Sequence, residues 1–139
     1  MSASPVAAYV DSSALVKLVV PEPESAALRA ELARWERHVA SALVRVEVVR
    51  ACARVDTKAR KIAEEVVCAL DLIAVDDDLL ERAARLDPPS LRSLDAIHVA
   101  SALLVSDALG VVIAYDARLT QAMTAVGLRT AAPGLSSSI

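Results

Sequence analysis

Residues 6–21 read VAAYVDSSALVKLVVP, and the order of residue types in this stretch decides the fold class. Ala7 to Val10 is a short uncharged run, of the kind buried on both faces of a parallel sheet. Asp11 ends it, and Ser13 to Val20 reads as a short helix stopped by Pro21 and Pro23. The same order of strand, aspartate and helix returns at VVIAYDARL, residues 111–119, where Asp116 closes one run and opens another through Leu119, Met123 and Val126. Two acidic residues therefore stand at the C-terminal ends of two buried strands. In open parallel α/β sheets, ligands bind outside those ends, where the strand order reverses.

Working outward, Pro23 to Glu36 is helical, with Ala27, Leu28, Leu32 and Trp35 on one stripe. A short strand follows at His38 to Ala40. Leu43 to Arg54 forms a helical hairpin with a second helix, capped by Asp56 and Thr57 and running through Ile62, Val66 and Leu70. Leu72 to Val75 is a third strand, closed by Asp76, Asp77 and Asp78, which cap a helix ending at Leu86. Pro88 and Pro89 break the chain. Ser93 or Asp95 opens the longest apolar helix, Gly110 lies in its exit loop, and Val111 to Tyr115 is the fourth strand. Gly127 stops the next helix, and Leu128 to Ala131 is a final edge strand. Strands separated by helices predict an α/β fold: a parallel sheet of four or five strands flanked by helices in three α/β/α layers, with right-handed crossovers. A single domain is expected over residues 1–132, with 133–139 as a flexible tail.

Composition narrows the function classes. A chain of 139 residues with 55% hydrophobic content buries a core and is not disordered. The longest uncharged stretch, 96–106, falls short of the roughly 20 apolar residues of a membrane span. No basic leader precedes the first apolar run, so a cytoplasmic protein is expected. Cys52 and Cys68 lack the spacing of a zinc site and are expected to be reduced core residues. A net charge of −3 gives no general grip on nucleic acid. Locally, Arg45, Arg50, Arg54, Lys58, Arg60 and Lys61 face only Glu47 and Asp56, a pattern that by itself reads first as a solvated helix face. With Tyr9, Trp35 and Tyr115 as its aromatics, the chain has no platform for base stacking. Three glycines make neither a P-loop nor a dinucleotide fingerprint, and neither histidine has the setting of a nucleophile elbow.

The acidic residues carry the chemistry. Asp95 opens DAIHVASALLV, and Glu47 sits among valines in ALVRVEVVRAC, where an acid is unexpected. Each aspartate has a structural alternative as a helix N-cap, worth about 1 kcal/mol, and Glu47 is spaced to pair with Arg50 or Arg54. If Asp11, Glu47, Asp95 and Asp116 converge, two carboxylates about 4 Å apart repel by about 4 kcal/mol at an effective dielectric near 20. A cation or protons must then offset that repulsion. An oxygen-only donor set favours Mg²⁺ or Mn²⁺ over zinc. His98, one turn beyond Asp95, reads as a satisfied core residue rather than a ligand, as does His38, and the Asp76 to Asp78 triplet reads as capping.

At YVDSSALVKL, SALVRVEVVRA, SLDAIHVASAL and AYDARL, taken in order over nearly the whole chain, the sequence resembles the PIN-domain nucleases, most closely the VapC toxins of bacterial toxin-antitoxin pairs. The resemblance implies a PIN-like fold and Mg²⁺- or Mn²⁺-dependent cleavage of RNA by Asp11, Glu47, Asp95 and Asp116. Within that quartet Asp11, Asp95 and Asp116 would be metal ligands, and Glu47 would position a water or act as base. Ser13 matches the small hydroxyl residue that supports the site in the family. Some relatives carry a further acid shortly after the last aspartate, whereas Ala117, Arg118, Leu119 and Thr120 follow Asp116 here, which weakens the case for a second metal. Lys17, Arg50 and Arg54 are candidate RNA phosphate contacts. The expected partners are an RNA substrate, a small cognate antitoxin and a second copy of the chain in a homodimer. Apolar faces around Leu28, Leu32 and Trp35 and the hairpin from Leu43 to Leu70 would form the interfaces. The rival readings are a PIN ribonuclease in RNA maturation, a metal-dependent adhesion module in which Leu15 replaces the last serine, and a catalytically silent scaffold.

Overall fold

A computed structural model describes residues 4–135. Its elements run β1 (Ala7–Val10), α1 (Ser12–Val19), α2 (Ser25–Leu32), β2 (Arg37–Ser41), α3 (Val44–Ala53), α4 (Thr57–Cys68), β3 (Asp71–Ile73), α5 (Asp77–Ala84), α6 (Ser93–Leu104), β4 (Leu109–Ile113), α7 (Ala117–Ala125) and β5 (Thr130–Ala131). The five strands form one parallel sheet in the order β3-β2-β1-β4-β5. The chain thus starts at the centre, steps outward through β2 and β3, and resumes on the other side of β1 with β4. That reversal lies between β1 and β4, whose ends are level because Val10 pairs with Ile113.

All four residues of β1 are buried, and alternation splits them between two cores. Ala8 and Val10 pack with Val111 and Ile113 against α1 to α4, through Leu15, Leu28, Val44, Val48 and Ala63. Ala7 and Tyr9 pack with Val112 on the opposite face, against Val99 and Ala102 of α6 and Leu119 and Met123 of α7. A smaller cluster of Leu79, Ala83, Ala96 and Ala100 fastens α5 to α6. The result is the expected three-layer arrangement. No helix among the described residues is long and apolar enough to cross a membrane.

Several local expectations shift. Gly110 lies inside β4 rather than in an exit loop, because the Trp35 ring occupies the space above it: a Cβ built on Gly110 would stand 2.1 Å from two ring carbons. Strand β4 accordingly begins and ends earlier than read, leaving Ala114 and Tyr115 to lead into Asp116. Leu28 and Leu32 are buried in the core and Trp35 is half-buried, so the stripe expected at an interface is already covered within the chain. Cys52 is buried, but Cys68 is exposed. The buried face of α4 runs through Ala59, Ala63 and Val67, and Cys68 falls one position off it. The expected tail is held at its start, where the Tyr115 hydroxyl donates to Pro133 O at 2.6 Å; residues 136–139 lie outside those described.

Candidate active site

Asp11, Glu47, Asp95 and Asp116 come from four separate segments and line one cleft of about 380 Å³, together with Ser12, Ser13, Arg92, Ser93, Leu94, His98, Arg118 and Leu119. The cleft opens just past the C-terminal ends of β1 and β4, at the point where strand order reverses.

Asp11 leaves β1 with its backbone N–H still donating to Ile113 O across the sheet, at 3.1 Å. Its Oδ1 accepts from Ala14 N at 3.1 Å, which caps α1, and from Ser13 Oγ at 2.7 Å. Oδ1 therefore does the capping, and it does so in a residue that also lines the cleft, while among the described residues Oδ2 accepts no hydrogen bond. Ser13 Oγ in turn accepts from Tyr115 N at 2.8 Å. One hydroxyl thus ties the turn after β1 to the loop that delivers Asp116. Asp116 repeats the design at α7, its Oδ1 accepting from Arg118 N and Leu119 N at 2.9 and 3.4 Å. Asp95 differs. Helix α6 begins two residues earlier, behind Arg92 and with no side-chain cap, so Asp95 sits in its first turn without a capping role.

Glu47 is held by two donors on one oxygen: Ser12 Oγ at 2.6 Å and His98 Nε2 at 2.9 Å, both to Oε1. The other imidazole nitrogen, Nδ1, lies 2.7 Å from the Tyr9 hydroxyl, which also accepts from Ser41 N at 3.3 Å. An ionised carboxylate only accepts, so Nε2 carries the proton toward Glu47, and the Tyr9 O–H donates to Nδ1. Burial pushes the Tyr9 hydroxyl far up, which keeps it a donor. A chain of hydrogen bonds running from the core strand β1 through His98 thereby fixes the orientation of Glu47.

The electrostatics follow from the crowding. Burial pushes the Asp11 carboxyl up to about 6, with the Asp116 charge adding to the rise, against the opposing bonds from Ser13 and Ala14. Burial and then Asp116 also raise Asp95, opposed in part by His98, Arg118 and Arg92. Burial acts upward on Glu47 too, but the bonds from His98 and Ser12 outweigh it and the carboxyl lies below its ordinary value. Both aspartates are therefore held up mainly by desolvation, with the charge of Asp116 adding a smaller push.

A family model of the PIN domain matches residues 8–123. This chain is a PIN domain. It is 45% identical over 127 residues to Ribonuclease VapC46 of Mycobacterium tuberculosis, covering 91% of this chain and 98% of that protein. It is 37% identical over 131 residues to Ribonuclease VapC47 of the same species, covering 91% and 96%. These relatives place it in the VapC family. A crystal structure of Mycobacterium tuberculosis VapC20, a sarcin-ricin loop cleaving toxin, matches with a TM-score of 0.68 over 87% of this chain and 95% of that one. At 19% identity that likeness establishes the shared fold.

The three basic residues singled out as candidate phosphate contacts lie outside the acidic cleft. Lys17 does not line the cleft: its ammonium pairs with Glu22 at 2.5 Å and Glu24 at 3.5 Å and lies 4.7 Å from the centre of the Tyr115 ring. Arg50 and Arg54 line a separate cavity between α3 and α4. The cations that do line the cleft are Arg92 and Arg118. Arg118 follows Asp116 by two residues, next to the acid it was set beside in the sequence, and Arg92 stands at the start of α6.

Without bound metal, the PIN domain should lose stability as pH rises between about 4 and about 6. Folded Asp11 binds its proton more tightly than the unfolded chain does, about 6 against 3.8. Its contribution is therefore full below the unfolded value and gone above the folded one. Asp95 acts in the same direction and Glu47 in the opposite one, and the larger Asp11 shift sets the sign. Urea unfolding of chelator-treated protein should show roughly 1 kcal/mol less stability at about pH 7 than at about pH 5 from this group. Asp11→Asn should flatten the profile. A wild-type profile that rises over the interval would contradict the raised Asp11.

Proposed function

We propose that this cleft holds Mg²⁺, replaceable by Mn²⁺, and hydrolyses RNA phosphodiester bonds, and that the chain is the toxin of a toxin-antitoxin pair. The observation that carries the reading is the convergence of four acidic side chains from four segments on one cleft at the sheet's switch point. The relatives named as ribonucleases support it at 37% to 45% identity over nearly the full chain.

The residues fit the ion. Among the described residues no three His, Cys, Asp or Glu side chains stand close enough to form a ready-made cage. Mg²⁺ does not need one, since it keeps several waters and binds through one or two carboxylates plus the substrate phosphate. The oxygen-only donor set of Asp11, Asp95 and Asp116 favours a hard cation there. Asp11, Asp95 and Asp116 would hold the ion, which when bound lowers the pKa of a coordinated water and neutralises charge on the phosphate. Glu47, locked through Oε1, keeps Oε2 to orient the attacking water or accept its proton. Arg92 and Arg118 bind phosphate oxygens at the rim and hold the strand in register.

The antitoxin is a small protein that covers this face, and the chain acts in the cytoplasm as a homodimer. Val46, Val55 and Ile62 on the α3–α4 hairpin remain exposed and supply apolar surface for such contacts. Incubating purified protein with total RNA tests the nuclease: fragments should appear with Mg²⁺ and not with excess chelator. Intact RNA in both, at protein concentrations that saturate substrate, would rule it out. Growth arrest on expression, relieved by the small open reading frame beside the gene, tests the toxin role separately.

A further inference from the structure

We infer that Arg50, Arg54 and Arg60 form a second anion site, which grips the RNA backbone beside the phosphate being cut. The inference rests on the ribonuclease reading and extends it to how the substrate is held. These three guanidinium groups line a cavity of about 500 Å³ between α3 and α4, larger than the acidic cleft, with Val49, Ala53 and Glu64 as the rest of its lining. All three arginines are exposed, and among the described residues none has a carboxylate within ion-pair distance. Three cations set around one cavity with a single Glu64 leave an excess of positive charge that an anion offsets.

Position along α3, relative to Glu47 of the acidic cleft, identifies the anion. Glu47, Arg50 and Arg54 follow one another at spacings of three and four along α3, so they lie on one side of the helix. At 1.5 Å per residue, Arg50 stands about 4.5 Å and Arg54 about 10 Å beyond Glu47 along the axis. A strand whose scissile phosphate sits by Glu47 and that runs along α3 would reach the arginine cavity. No aromatic residue lines that cavity, so it offers no surface for stacking bases. Arginine forks bind phosphate oxygens bidentately instead. The site thus adds affinity without reading sequence.

The test uses a triple variant, R50Q/R54Q/R60Q, beside R50K/R54K/R60K, with unfolding curves to show that both fold. Binding of a labelled single-stranded RNA long enough to reach the cavity is followed across salt concentrations in chelator, where no cleavage occurs. Each lost single-strand phosphate contact flattens the slope of log K against log salt by about 0.7, so the glutamine variant should lose about 2 from the slope and the lysine variant little. In Mg²⁺, KM for the long RNA should rise on the order of 10-fold with kcat unchanged, and a trinucleotide should be cut as by wild type. An unchanged salt slope and KM in the glutamine variant would overturn the inference. So would loss of antitoxin binding with RNA binding intact, which would make the cavity a protein contact. Because binding is read in chelator, failure of the nuclease reading itself would show separately, as absence of cleavage by the wild type.

Discussion

Asp11→Asn should lower kcat for RNA cleavage by about three orders of magnitude while making the metal-free protein more stable near neutral pH. The substitution preserves shape and leaves an Oδ1 that still accepts from Ala14 N and Ser13 Oγ, so the cap of α1 survives. On the proposed metal reading, it removes a charge that would hold the ion. A bound metal contributes several kcal/mol of transition-state stabilisation, and about 4 kcal/mol corresponds to a factor of about 10³. Stability should move the other way. Wild-type Asp11 is 3% exposed, and burial, with a smaller contribution from the Asp116 charge, holds its proton affinity high. Replacing it should add roughly 1 kcal/mol or more in urea unfolding with chelator present. A variant that cleaves at the wild-type rate would remove Asp11 from the site. One that loses activity and stability together would show that the aspartate serves the fold.

His98→Ala should cost roughly 2 to 4 kcal/mol of stability and lower activity by about 10- to 100-fold. The imidazole is 4% exposed and satisfies two partners at once, the Tyr9 hydroxyl and Glu47 Oε1. Each buried polar group left unpaired costs about 1 to 3 kcal/mol, and loss of a residue that orients a metal-site carboxylate typically costs 10- to 100-fold in activity or metal affinity. Tyr9→Phe separates the two effects. It leaves the bond to Glu47 but frees Nδ1, so the imidazole loses the partner that sets its tautomer. Activity should then fall less than in His98→Ala, and the double variant should be non-additive, because both substitutions act through one chain of hydrogen bonds. Full activity in His98→Ala would show that Glu47 needs no such support.

Three of the four acids that line the cleft stood out in the sequence for two different reasons. Asp11 and Asp116 follow buried runs and precede helices, a local pattern that a parallel sheet converts into proximity at one edge. Glu47 was visible as an acid set among valines in VRVEVVRAC. The partner that positions Glu47 was not legible, because His98 lies 51 residues away and a histidine on an apolar helix has an ordinary core explanation. The available signal was its place three residues after Asp95, on the same side of α6. Ser12 hid in the same way: the motif drew attention to Ser13, while its neighbour supplies the second donor to Glu47. Lys17 looked free because its partners Glu22 and Glu24 lie beyond a proline turn that brings them back over α1. Gly110 looked like punctuation because glycine usually is, and only the packing of Trp35 shows why a strand needs it. In each case the missing part was a contact made by the fold.

The most direct test of the cleft as a metal site is the thermal unfolding of chelator-stripped protein as Mn²⁺ is added back, for wild type beside Asp11→Asn and Asp116→Asn. Binding to the folded state alone stabilises by about 2.7 kcal/mol at 100 times Kd. Wild-type melting temperature should therefore climb with Mn²⁺ by several degrees, and the two variants should show little change at the same concentrations. An unchanged wild-type melting temperature across millimolar Mn²⁺, or an equal rise in all three proteins, would contradict a shared metal site built from these carboxylates.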